Sequence, residues 1–177
     1  MILTDTEINK AIESGKIIIT PFNPSNLGSN SYDITISNKL KIYDEYILDV
    51  KKQPRTIDIE IPENGFELKP GELYLATSNE YTETHGLVPF CEGKSSLGRF
   101  GLNIHQTAGK GDIGFCGHWT LELTTIKPIR IYPKLKIAQL IYFGAFGICA
   151  NPYNKKATAK YNNNEPIPIE SRFNKEF

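Results

Sequence analysis

The stretch HWTLELTTIKPIRIYPKLKIAQLIYF, His118 to Phe143, holds three runs rich in β-branched, aromatic and leucine residues, HWTLELTT, IRIY and KIAQLIYF, the last two separated by the turn YPK. Short runs of this composition bounded by proline-containing breaks read as strands. The pattern extends backwards through KIIIT, SYDITIS, LKIYDEYILDV, TIDIEI and ELYLATS, with NPSNLGSN, IPENG and KPGE as turn clusters. No helices alternate with these runs to cross over a parallel sheet, so the expected fold is mainly β, an antiparallel barrel or jelly roll.

One segment reads as a helix. Thr4 and Glu7 have capping-box spacing, Ile8, Ala11 and Ile12 share a face, and Gly15 supplies a stop, which predicts a short helix over residues 5–14. Beyond Cys149 the strand pattern is lost in NPYNKKATAKYNNNEPIPIESRFNKEF. Residues 150–177 therefore read as a tail that either floats or closes over something, attached to a single domain spanning 1–177. A chain of 177 residues is long enough for a real core.

Lys plus Arg equals Asp plus Glu at 20 each. No global field then recruits nucleic acid or an anionic membrane, and an anionic ligand must be held by a local cluster. No apolar run is long enough for a membrane span, and MILTDTEINK lacks the basic-then-apolar pattern of a signal peptide, so a cytoplasmic protein is expected. Cys91, Cys116 and Cys149 are odd in number and far apart, which predicts reduced core thiols.

The stretch EGKSSLGRFG, Glu92 to Gly101, supplies such a local cluster. Glycines that let backbone N–H groups approach an anion, two hydroxyls and fixed positive charge are what a phosphate needs. Lys94, Ser95, Ser96 and Arg99 are the candidates, without the spacing of a Walker A loop. Downstream, TAGKGDIGFCGHWTLEL places Asp112 in a glycine-flanked turn, and Gly114 and Gly117 suggest a hairpin that admits a ligand closely. Glu122 falls between Leu121 and Leu123, and period-two alternation points it to the opposite face. Two readings stay open there: an exposed strand carboxylate, or a pocket carboxylate that exchanges protons.

Taken in order, SYDITIS, GKSSLGRFGL, TAGKGDIGFCGHWTLEL, YPKLKIAQLIY and PYNKKATAKY resemble deoxycytidine triphosphate deaminases, within the trimeric deoxyuridine triphosphatase superfamily. The resemblance is densest from Glu92 to Leu140. It implies a distorted β jelly roll that forms a homotrimer, with active sites shared between subunits. It further implies that Lys94, Ser95, Ser96, Leu97, Gly98 and Arg99 hold the nucleotide and its phosphates, that Asp112 meets the deoxyribose, and that Thr120, Leu121 and Glu122 read the cytosine. Glu122 matches the catalytic acid/base, and Ser95, Arg99 and the backbone at Ala108 would position the water. Gln139, Tyr153, Lys160 and Asn164 match further nucleotide-binding positions, with Asn164 standing where family members commonly carry glutamine.

The activity implied is hydrolysis of dCTP to dUTP and ammonia, which supplies dUTP for dUMP and thymidylate synthesis. A bifunctional version forming dUMP and diphosphate is the alternative, and TAGKGD resembles the segment in some bifunctional members. A deoxyuridine triphosphatase or a non-catalytic nucleotide sensor ranks below both. Mg2+ is expected with the triphosphate and not on the protein. Zinc is not expected: none of His85, His105 or His118 begins an H-x-E, no C-x-x-C is present, and Cys116 with His118 lacks two further ligands at structural spacing.

Overall fold

Apolar positions three and four apart fold Asp5–Glu13 into helix α1, which buries Ile8 and Ala11 against the barrel. The computed structural model describes residues 1–162 and 165–176. The anticipated capping box does not form. Thr4 Oγ1 lies 3.0 Å from Thr6 Oγ1 and caps no backbone N–H, while Glu7 pairs with Lys10 at 2.6 Å. Gly15 ends the helix at φ +71°, a left-handed conformation that glycine adopts without a Cβ clash.

Ten strands follow: β1 Ile17–Thr20, β2 Tyr32–Tyr43, β3 Thr56–Glu60, β4 Phe66–Leu68, β5 Tyr74–Thr84, β6 Leu87–Gly93, β7 Leu102–Asn103, β8 Cys116–Thr125, β9 Ile129–Ile131 and β10 Lys136–Gly144. A helical turn, α2, occupies Ser95–Gly98 between β6 and β7. The main sheet runs β6-β10-β2-β5-β8-β7, with β1 added to β5 and β3 to β2, while β4 and β9 form a separate ribbon. Every pairing is antiparallel, as expected for a distorted jelly roll or barrel. Its core is built from the inward positions of β2, β8 and β10, among them Ile34, Ile36, Leu121, Leu123, Ile137 and Leu140.

The strand pattern differs from expectation at LKIYDEYILDV and at β4, β6 and β7, which no quoted run marks. LKIYDEYILDV is strand only to Tyr43; beyond it Tyr46, Ile47 and Val50 are exposed in a loop closed by Asp44 N–H donating to Arg55 O at 3.0 Å. Strand β6 was masked by Pro89, which is tolerated because β6 lies at the end of the sheet path. Of the three free thiols, Cys91 and Cys116 are buried as expected, but Cys149 is exposed. No helix among the described residues is long and apolar enough to cross a membrane.

The tail folds back on the barrel. Tyr153 N–H donates to Ile113 O at 2.7 Å, and the Tyr153 hydroxyl accepts from the backbone N–H groups of Lys160 at 3.0 Å and Tyr161 at 3.1 Å. Further on, Glu170 pairs with Lys41 at 3.3 Å and Ser171 N–H donates to the Tyr43 hydroxyl at 3.2 Å.

Candidate active site

Strand β8 has one face in the core and the other in a cavity. Leu121 and Leu123 are buried, while His118, Thr120 and Glu122 line a pocket of about 460 Å³ to which the largely buried Trp119 also contributes. Alternation in a strand puts successive side chains on opposite faces, so the buried leucines orient the carboxylate between them. Leu121, 2 % exposed, belongs to the core and does not line the pocket, contrary to the role the resemblance implies for it, because strand parity turns its side chain away from Glu122.

The long connection from β7 to β8 forms one wall. It starts as continued pairing, with Glu122 N–H donating to Ile104 O at 2.8 Å, and then crosses to β6, where Cys91 N–H donates to Gly109 O at 2.7 Å and Gly111 N–H to Pro89 O at 2.8 Å. A Cβ on Gly111 would come within 2.6 Å of the Trp119 ring, so only glycine permits this crossing. The wall brings Ala108 and Asp112 to the pocket, with Asp112 paired to Lys110 at 2.8 Å.

Gln106 holds Glu122 from two sides. Its backbone N–H donates to Glu122 Oε2 at 2.9 Å, and its side-chain amide donates to Glu122 O and Thr124 Oγ1, both at 3.1 Å. One carboxylate oxygen is thereby fixed, and the glutamate side chain remains part of the pocket lining.

The third wall is the tail. Tyr153, Tyr161, Ile169 and Ser171 line the pocket opposite β8, and Ile169 N–H donates to the Thr120 hydroxyl at 3.2 Å. Tyr43 faces them from β2, and burial pushes its phenol pKa upward. Gly114, at φ +86°, is where the tail docks: a Cβ there would meet Pro152 Cβ at 2.9 Å and Asn154 Oδ1 at 2.8 Å. The close approach expected at Gly114 is made by the chain's own tail, and the expected hairpin is the antiparallel β7–β8 pair joined by a long loop.

Of the residues singled out in the sequence, Ala108, Asp112, Thr120, Glu122 and Tyr153 converge on this pocket. Lys94, Ser95, Ser96, Leu97, Gly98, Arg99 and Gln139 do not line it. They form a second cluster around α2: Lys94 is ion-paired with Asp33, and Gln139 donates to Gly93 O at 3.1 Å while accepting from Ser31 Oγ at 3.1 Å. Ser95, Ser96 and Arg99 are exposed, and Leu97 packs against the core. Lys160 pairs with Glu176 and lies 5.5 Å from the centre of the Phe173 ring. Asn164 lies outside the described residues.

Tyr43, Lys110, Phe115, His118, Tyr161 and Ile169 line the pocket without having been singled out for it. Tyr43 and Ile169 come from segments remote in sequence from the motifs, whereas Tyr161 closes the PYNKKATAKY motif next to Lys160. His118 carried a usable signal, because it shares strand parity with Thr120 and Glu122.

The chain is thus a mainly β protein of the antiparallel barrel-like class, with a two-carboxylate pocket and a separate hydroxyl-rich basic turn. Residues 2–145 match the family described as dCTP deaminase-like. The chain belongs to that family. It is 47% identical over 167 residues to a protein of Clostridium beijerinckii named "dCTP deaminase, dUMP-forming", covering 94% of each chain. A Hathewaya histolytica protein of the same name is 46% identical over 167 residues, again with 94% of each chain covered. A Rhodopirellula baltica protein named "dCTP deaminase" is 44% identical over 168 residues, which cover 94% of this chain and 82% of the relative. Among solved structures, the 2'-deoxycytidine 5'-triphosphate deaminase of Agrobacterium tumefaciens has the same fold, with a TM-score of 0.64 at 17% identity, over 85% of this chain and half (50%) of the other.

Proposed function

We propose that the protein hydrolyses dCTP twice in one site, releasing ammonia, diphosphate and dUMP. The observation that carries this is the convergence of two carboxylates, Glu122 and Asp112, on one pocket that also holds Ala108, Thr120 and Tyr153. Two hydrolyses need two waters, and a pocket with two separately held carboxylates has acid/base capacity for both. The dUMP-forming names of relatives at 46–47% identity support this bifunctional reading over simple release of dUTP.

In the first step Glu122 takes a proton from a water that adds to C4 of cytosine, and it returns a proton toward the departing amine. The C–N bond breaks, ammonia leaves and the ring carries a C4 carbonyl. Gln106 N–H, fixed on Oε2, holds the carboxylate in place for that exchange. In the second step water attacks the α-phosphorus, the bond to the α–β bridging oxygen breaks, and diphosphate leaves. Mg2+ arrives with the triphosphate as part of the substrate, and no step at the base is routed through a metal.

The basic turn at Lys94–Arg99 has the donors for phosphates but lies outside its own chain's pocket. A homotrimer resolves this, with the turn and Gln139 of one subunit completing the pocket of the next, as the family pattern implies. Ser95 and Arg99 of the neighbouring chain would then bind the water and nucleotide beside Glu122, and Lys160 would meet the phosphates from the tail.

The decisive experiment is to incubate the purified protein with dCTP and Mg2+, without added zinc, and separate dCTP, dUTP and dUMP chromatographically. dUMP with diphosphate is the expected result. Accumulating dUTP would replace it with simple deamination. Intact dCTP alongside measurable nucleotide binding would overturn catalysis and leave a sensing role.

A further inference from the structure

Outside the nucleotide pocket, β5 and β8 bring together a carboxylate, an imidazole and a thiol. Tyr81, Glu83 and His85 alternate along β5 and its extension, and Glu83 pairs in register with Cys116 at the start of β8. The ligand atoms of Glu83, His85 and Cys116 all lie within 4.8 Å of one another. His85 Nε2 is 2.8 Å from Glu83 Oε2, and the Tyr81 hydroxyl donates to Oε1 at 3.1 Å, holding the carboxylate in orientation.

We propose that Glu83, His85 and Cys116 bind a borderline-soft divalent transition ion, Zn2+ foremost. Thiolate, imidazole and carboxylate together are a zinc ligand set, whereas Mg2+ and Ca2+ take oxygen donors. Tetrahedral zinc with bonds of about 2.0–2.3 Å spaces its ligands roughly 3.3–3.8 Å apart, so His85 and Glu83, now 2.8 Å apart, would open by about half an ångström while the wider separations, up to 4.8 Å, would close by about 1 Å. The ion takes the place of the hydrogen bond between His85 and Glu83 and displaces the Cys116 thiol proton to solvent, and Tyr81 becomes the outer partner that steadies the carboxylate.

The fourth position opens to solvent. His85 lines a second cavity of about 370 Å³ together with Gly114 and residues of the 145–155 segment, while Cys116 is 6 % exposed and backs the site. A water from that cavity completes four-coordination. The bound ion would clamp the end of β5 to the start of β8, where Gly114 N–H already donates to Thr84 O at 2.7 Å and Cys116 N–H to Asn162 Oδ1 at 3.3 Å. The ion would thus sit beside the junction that holds the Asp112 loop and the tail, not beside Glu122.

Spacing along the chain hid this site, because Cys116 was weighed with His118. His118 instead places Nδ1 3.1 Å from Ser78 O and packs edge-on against Tyr81. The partners of Cys116 come from the neighbouring strand, 33 and 31 positions earlier in the chain (116 − 83 and 116 − 85).

The test uses the full-length protein, stripped with a chelator and titrated with Co2+ and then Zn2+, with no nucleotide present. One equivalent of Co2+ per chain should produce a sulfur-to-cobalt charge-transfer absorption that Zn2+ abolishes. Cys116→Ser should lose that absorption, and His85→Gln, at a half-exposed side chain, should weaken Zn2+ binding at least about tenfold. Cys149→Ser is the control for the exposed thiol and should retain both signals. No sulfur-to-cobalt absorption in the wild type, absorption that survives Cys116→Ser, or absorption lost in Cys149→Ser would each overturn the site. The readout is metal binding, so it stands whether or not dCTP is turned over.

Discussion

Gln106 and Glu122 are sixteen positions apart and share two hydrogen bonds across the β7–β8 connection, backbone N–H to Oε2 at 2.9 Å and amide to Glu122 O at 3.1 Å, while the same amide also donates to Thr124 Oγ1 at 3.1 Å. The loop is therefore tied to the strand that carries the carboxylate. Glu122→Gln should keep nucleotide affinity while lowering kcat by about 10²–10⁴, since the amide cannot accept the water proton. Gln106→Ala retains the backbone donor and should lower kcat about tenfold with little change in KM. Wild-type turnover in Glu122→Gln would remove that residue from the chemistry.

The two faces of β8 should respond differently to substitution. Leu121 is buried, and Leu121→Ala should cost about 2–5 kcal/mol of stability through lost burial and the cavity left behind. Glu122→Gln, on the pocket face, should change stability by less than about 1 kcal/mol. Denaturant titration of the two variants measures the contrast, and equal losses would contradict the assignment of faces.

Mixing two inactive variants tests the shared site. In a trimer whose pockets each draw Glu122 from one chain and Arg99 from the next, co-assembly of Arg99→Ala with Glu122→Gln subunits in equal amounts restores about a quarter of the sites. dCTP turnover by the mixed oligomer should recover to about that fraction. Mixed oligomers with no recovery would show that each chain uses its own Arg99, or none.

The tail hangs on the Tyr153 hydroxyl, which accepts from two consecutive backbone N–H groups. Tyr153→Phe removes that acceptor from both, a local loss of about 1–3 kcal/mol. Amide hydrogen exchange at Lys160 and Tyr161 should speed up at least about tenfold. Unchanged exchange would mean that other contacts hold the tail.

Glu170 gives tail docking a pH dependence. Burial raises its pKa, but a hydrogen bond to its own backbone and the Lys41 ammonium outweigh that, and the carboxyl titrates below its usual value. The docked state is therefore favoured fully above the unfolded carboxylate pKa of about 4.3, and that contribution is lost as pH falls through the lower folded value. Exchange protection at Ile169 and Ser171, corrected for intrinsic rates, should fall between about pH 6 and about pH 3.5, and Lys41→Met should shrink the difference. Protection that rises on acidification would reverse the sign and sink the argument.

Elements whose causes are local were legible in the residue order. Turn clusters and β-branched runs marked most of the strands, helix α1 followed from its apolar spacing, and the parity of Leu121, Glu122 and Leu123 set which face the carboxylate takes. Pro89 hid an edge strand, and DEYILDV looked like strand because apolar composition alone does not supply a pairing partner. The folded chain instead governs which remote residues share a cavity. Antiparallel pairing set Glu83 beside Cys116, the β7–β8 connection carried Gln106 to Glu122, and the returning tail brought Tyr161 and Ile169 over Thr120. It also separated Lys94–Arg99 from the pocket of the same chain, because α2 is an exposed turn at the far end of β6. These relationships depend on strand order and chain return, which arise from long-range burial and hydrogen bonding that no local spacing encodes.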